Sequence, residues 1–145
     1  MAANINPIFP NSPKIQWGTI LTVDSTANKN HDGTTTNAVC VFTAGTNGSR
    51  IDEIKVLPLG TNVATALRLF INNGSDNTVA SNNSAYADVT IPTSTISEVA
   101  GQNEVIIRQP NDNRPLVLPA GYKLYATLGT TIATGLQVTV QGGDF

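Results

Sequence analysis

AVCVFTAGTNGSRIDEIKVL, residues 38–57, decides how the rest of the chain is read. Ala38 to Ala44 is dense in β-branched and aromatic residues, which suit a pleated, buried backbone, and Asn37 and Gly45-Thr46-Asn47-Gly48 bound it with turn chemistry. Arg50 to Leu57 is a second limb in which Ile54 and Val56 share one alternation while Ile51 is out of phase, so a bulge near Asp52 and Glu53 is expected. Strand, turn and bulged strand in sequence point to antiparallel β-structure.

The same pattern extends in both directions. Lys14 to Val23 alternates, with Ile15, Trp17, Thr19, Leu21 and Val23 on one face and Lys14, Gln16, Gly18, Ile20 and Thr22 on the other. Trp17 therefore reads as core or interface. Before it, Met1 to Pro13 carries prolines at 7, 10 and 13, which fix φ and hold their predecessors extended, so residues 1–13 are an arm and residues 14–145 the folded domain. Asp24 to Asn37 is a long polar loop. Further strands are expected at Val63–Ile71, Ala85–Ile91, Glu104–Gln109, Leu116–Leu118, Tyr122–Leu128 and Gly135–Gln141, with a helical turn or loop over Thr93–Gln102. Eight main strands, with Leu116–Leu118 as a further short one, and no long helix predict an all-β, single-domain antiparallel sandwich of jelly-roll type, with an Ig-like sandwich as the alternative.

Composition narrows the function. Leu, Ile, Val and Phe supply 38 of the 145 residues, enough for a core, yet only 12% are charged against about 25% in ordinary soluble domains. With 19 Thr and 16 Asn, the surface is polar and nearly uncharged. A net charge of −2, with four Lys and four Arg scattered, makes no basic stripe for nucleic acid and no polybasic cluster for a membrane. One cysteine and one histidine give neither an internal disulfide nor a zinc cage.

No nucleophile elbow, phosphate loop or metalloprotease motif is present, so no catalytic, cofactor or metal residue is assigned and the chain is not read as an enzyme. Cys40, in the middle of an apolar strand, reads as packed and inert. His31-Asp32-Gly33 reads as a solvated turn. Asp52-Glu53, the one adjacent acidic pair, falls on opposite strand faces, and Asp76-Asn77 lacks the carboxylate spacing of a calcium loop.

Leu116-Val117-Leu118-Pro119-Ala120-Gly121-Tyr122-Lys123-Leu124-Tyr125-Ala126 and the terminal Val138-Thr139-Val140-Gln141-Gly142-Gly143-Asp144-Phe145 together resemble the head decoration, or capsid cement, proteins of tailed bacteriophages. In these segments Pro119 and Gly121 can shape a turn, and Gly142-Gly143 can let the chain leave its last strand sharply. The likeness covers residues 116–145. It implies a homo-oligomer, a trimer before a dimer, made in the host cytoplasm and bound to the outer surface of the icosahedral head, where it bridges major capsid protein subunits. On that reading Ile5, Ile8, Phe9, Trp17 and Phe145 are the candidate contacts to the capsid or a sister subunit. The alternative is a receptor- or carbohydrate-binding module of a tail or fibre, with Trp17, Tyr86, Tyr122 and Tyr125 as its aromatic supply.

Overall fold

The structure is a computed structural model and describes residues 9–23, 31–108 and 115–145. Among the described residues nine strands form two antiparallel sheets: β1 (Ser12–Ile20), β2 (Val39–Thr43), β3 (Ser49–Pro58), β4 (Thr65–Asn72), β5 (Asn83–Ile91), β6 (Val105–Arg108), β7 (Leu116–Leu118), β8 (Lys123–Leu128) and β9 (Leu136–Asp144). The first sheet runs β1-β9-β3-β6, with β7 also on β3, and the second β2-β8-β4-β5. β1 pairs β9, β2 pairs β8, β3 pairs β6 and β7, and β4 pairs β5. The chain thus doubles back as one long nested ribbon, which is then rolled so that β9 also meets β3 and β8 meets β4. That connectivity is a jelly roll and not the Ig-like alternative.

The two limbs of residues 38–57 do not pair with each other, because β2 and β3 enter opposite sheets. The bulge expected at Asp52 is present as a register shift between Ile51 and Glu53. It keeps Ile51, Ile54 and Val56 buried on one side. Facing them from the second sheet are Leu67, Leu69, Leu124, Ala126 and Leu128, and all eight are fully buried in a single cluster with Val138 and Val140. At about 25 cal/mol per Å² of apolar surface removed from water, that cluster is the main stabilising term. The Thr93–Gln102 segment is loop.

β1 begins at Ser12, so Ser12 and Pro13 of the expected arm belong to the sheet, and Pro13 is tolerated because β1 is an edge strand. The faces of β1 reverse the expectation drawn from side-chain hydropathy. Gly18 and Ile20 point into the core, while Ile15, Trp17 and Leu21 point out. The cause lies at Gly18, where a Cβ would stand 2.8 Å from Val39 Cγ1 and 3.0 Å from Val41 Cγ1. Only glycine lets β2 come this close to the inner side of β1.

Gly142 and Gly143 also differ from expectation, since both lie inside β9 and provide no exit from it. A Cβ at Gly142 would fall 1.9 Å from the Arg50 carbonyl oxygen, beside the β3 bulge, and one at Gly143 would fall 2.5 Å from Pro10 Cβ. Close approach of backbone, not a change of direction, is what these two residues permit.

Candidate interaction surface

On the inner side of β1, polar side chains stitch the two edge strands together. Gln16 Oε1 accepts from the Thr43 N–H at 2.7 Å, and Lys14 Nζ donates to the Thr43 carbonyl at 2.7 Å. Lys14 also pairs with Asp144 at 3.0 Å, and Asp144 accepts from the Ser49 hydroxyl. Ser49, fully buried, receives the Gly45 N–H in turn at 2.9 Å. Burial alone would raise the Asp144 carboxyl, but the Ser49 and Lys14 donors outweigh it and hold the carboxyl below its ordinary value. Asp144 therefore links β1, β3 and β9 at one end of the seam.

With those inner positions committed, the outer face of β1 is left apolar and bare. Trp17 is 63% exposed, Ile15 55% and Leu21 46%. Their cross-strand neighbours on β9 are neutral: Ile15 opposes Gln141, Trp17 opposes Thr139 and Thr19 opposes Gln137. Charge first appears one strand further, at Glu53 and Lys55 on β3. Phe9, 70% exposed, continues the apolar surface, with its ring 6.0 Å from the Arg50 guanidinium, which is held by Asp52 at 2.6 Å.

Beside this stripe, between β1 and β2, lies an open groove of about 370 Å³ lined by Ile15, Gln16, Trp17, Cys40, Val41, Phe42 and Thr43. Cys40 is exposed here, contrary to the packed position its apolar neighbours suggest. The register of β2 against β8 shifts between Cys40 and Phe42, and this bulge puts both Val41 and Phe42 into the core while turning Cys40 outward.

Of the five residues expected at an interface, Phe9 and Trp17 share this exposed side of the first sheet. Phe145 does not join them. It is partly buried against the 45–48 turn, where its N–H donates to the Gly48 carbonyl at 3.2 Å and its ring lies 3.7 Å from the position a Gly48 Cβ would take. Ile5 and Ile8 lie outside the described residues.

A second apolar patch was not legible in advance. Leu59 and Val63, in the β3–β4 connection, and Ile96 and Val99, in the β5–β6 connection, are 42%, 54%, 60% and 97% exposed. A backbone bridge between Asn62 and Ser94 and the Ile96 N–H bond to Thr61 Oγ1 hold the two loops together. The signal available was Ile96 and Val99 standing alone in a polar segment.

The polar clusters are structural. His31, at φ 54°, lies 2.7 Å from Asp88 Oδ2, an oxygen that Arg68 Nε approaches at 3.4 Å. The His31 hydrogen bond, with help from Arg68, lowers the Asp88 carboxyl against the opposing effect of burial. This anchor seats Gly33 over Phe70, which is buried on the outer side of the second sheet, so the turn is pinned and not merely solvated. Asp76 is taken up by the Thr78 N–H and hydroxyl at 2.9 and 2.8 Å. Asn83 donates to the Asp32 and Asn77 carbonyls, which shows how asparagine-rich turns satisfy backbone groups. Among the described residues no three His, Cys, Asp or Glu side chains gather where a metal could be held, and no helix is long and apolar enough to cross a membrane. Compared with protein-family models, curated proteins and solved structures, the chain matches none.

Proposed function

We propose that this protein is a structural component of a phage virion, which decorates the outer surface of the assembled icosahedral head as an oligomer and stabilises it by bridging major capsid protein subunits. The observation that carries this reading is the spread of exposed apolar side chains over one small jelly roll, from Phe9 and the β1 stripe to the loop end with Ile96 and Val99. A bridging protein needs at least two contact areas, and exposed apolar patches on a soluble domain mark contact areas. The low surface charge suits a particle coat that should not attract other surfaces. A ligand that binds only the assembled lattice stabilises it by RT ln(1 + [L]/Kd) per site, and an oligomer multiplies modest contacts without new chemistry.

The test is addition of the purified protein to DNA-filled heads assembled from the capsid protein encoded with it. Co-sedimentation and an upward shift in the temperature of DNA release are expected, and loss of head binding is expected for Val99→Asp. Heads that neither bind the protein nor gain heat resistance would overturn the reading. A second reading, carbohydrate binding, is favoured by one observation. Trp17 stands exposed at the rim of a groove that also presents Gln16 and Thr43, an aromatic platform with polar neighbours. Saturable glycan binding lost in Trp17→Ala would support it.

A further inference from the structure

The geometry points to a second copy of this chain as the occupant of the β1 surface, with the two copies related by a two-fold axis passing close to Trp17. This deepens the oligomer invoked above, and rests on it, but does not depend on the capsid. Three observations converge on a copy of the same chain.

First, charge. In a two-fold contact each residue near the axis meets its own counterpart, so any ionised side chain there would face a like charge. Ile15, Trp17, Thr19 and Leu21, with Gln137, Thr139 and Gln141 beside them, include no ionisable group. The loop-end patch carries Glu98 and is less suited to meeting itself.

Second, shape. A two-fold interface must be self-complementary, offering both projection and recess on one surface. Trp17 and Ile15 project from β1, and the groove of about 370 Å³ lies directly alongside, lined partly by the same two residues. Projections of one copy can enter the groove of the other, and the reverse follows by symmetry. The groove is open to solvent, so large side chains can enter it and displace water.

Third, area. An aromatic side chain offers roughly 150–250 Å², so Phe9 at 70% and Trp17 at 63% exposure present on the order of 100–170 Å² each. With Ile15 and Leu21 the apolar surface is about 300–450 Å². A standard interface buries ~800 Å² per partner, a little over half of it apolar. The stripe supplies most of that apolar share. The resemblance gives a trimer first place, whereas a patch that is self-complementary and confined to one edge closes as a pair.

The experiment is sedimentation velocity on the full chain over a concentration series reaching ~100 µM, with circular dichroism to verify that each variant is folded. Wild type is expected to form a two-copy species. Trp17→Gln should weaken it more than about tenfold, as loss of a central aromatic anchor does. Trp17→Lys and Trp17→Glu, at the axis where each residue meets its own counterpart, should each abolish it, and an equimolar mixture of the two should restore a mixed pair, a rescue that no general effect on folding would produce. Val99→Ser should leave it unchanged. Wild type remaining single throughout the series, a three-copy species indifferent to Trp17→Gln, or no rescue in the mixture would each overturn the inference. A pair that ignores heads would sustain it and refute the capsid reading. Heads that bind a strictly single-copy protein would do the opposite.

Discussion

Asp144→Ala tests whether the Gly-Gly-Asp-aromatic terminus is a latch. The carboxylate accepts from Lys14 Nζ at 3.0 Å and from the hydroxyl of fully buried Ser49. Without it, Lys14, 21% exposed, keeps the Thr43 carbonyl and gains water, so its loss is small. The Ser49 hydroxyl loses the acceptor for its proton in a place water does not reach, which costs about 1–3 kcal/mol, and with the weakened Lys14 link the total is about 2–4 kcal/mol. For a domain of this size that corresponds to a fall in Tm of roughly 5–12 °C. Urea denaturation should be followed by far-UV circular dichroism, because Trp17 lies outside the core and its emission would report the β1 surface and not the unfolding of the sandwich. Asp144→Asn, which keeps an acceptor but not the charge, should lose about half as much. Since the folded carboxyl is held below its ordinary value, the unfolded chain takes up the proton first as pH falls. The stabilisation is therefore complete above about pH 4 and drains away as pH drops through the lowered folded value. The gap between wild type and Asp144→Asn should close in acid. An Asp144→Ala protein within about 0.5 kcal/mol of wild type at neutral pH, a change typical of an uninvolved surface site, would refute the latch.

Three other outcomes follow from the packing. Gly142→Ala, whose Cβ would meet the Arg50 carbonyl at 1.9 Å, should cost more than about 4 kcal/mol or prevent folding, whereas Gly101→Ala, with nothing within 4 Å, should be nearly neutral in the same melt. At dilutions where the protein is single-copy, Cys40, exposed at the groove, should be labelled stoichiometrically by a maleimide without denaturant, and slow labelling there would contradict the β2 bulge. Gly33→Ala forces a side chain into φ +71° and to 2.9 Å from Phe70 Cγ, so it should lower stability by about 1–3 kcal/mol and speed proteolysis in the 31–37 loop.

Strand identity was largely legible in the sequence, and residue facing much less so. The bulge at Asp52 could be read because Ile51 breaks the phase of Ile54 and Val56, a signal carried by side chains alone. The Pro119-Ala120-Gly121 turn was equally local, and it forms with Gly121 at φ +72° and the Tyr122 N–H on the Pro119 carbonyl at 3.1 Å. The faces of β1 could not be read that way. Hydropathy places Trp17 and Ile15 inside, but the inner side is chosen by Gly18, whose missing side chain matters only once Val39 and Val41 lie against it. Cys40 failed for a similar reason, since the β2 register shift depends on β8, far along the chain. Phe70 alternates as a solvent-side residue and is buried nonetheless, because Gly33 closes over it. At the candidate surface, Phe9 and Trp17, two of the candidate contacts, are exposed, while Phe145 is occupied by its own turn and the loop-end residues gave almost no signal.

β9 is the last strand in the sequence and sits at the middle of the first sheet, hydrogen-bonded to β1 on one side and β3 on the other. During synthesis β1 must wait, its backbone N–H and C=O groups unpaired, until β9 has left the ribosome. Nucleation can begin locally at the β4–β5 hairpin, but closure is a late, long-range event, which makes for slow folding and a vulnerable nascent state. Production at lowered temperature should therefore raise the soluble yield, and a stop codon introduced within β9 should be far more damaging than the loss of an edge strand.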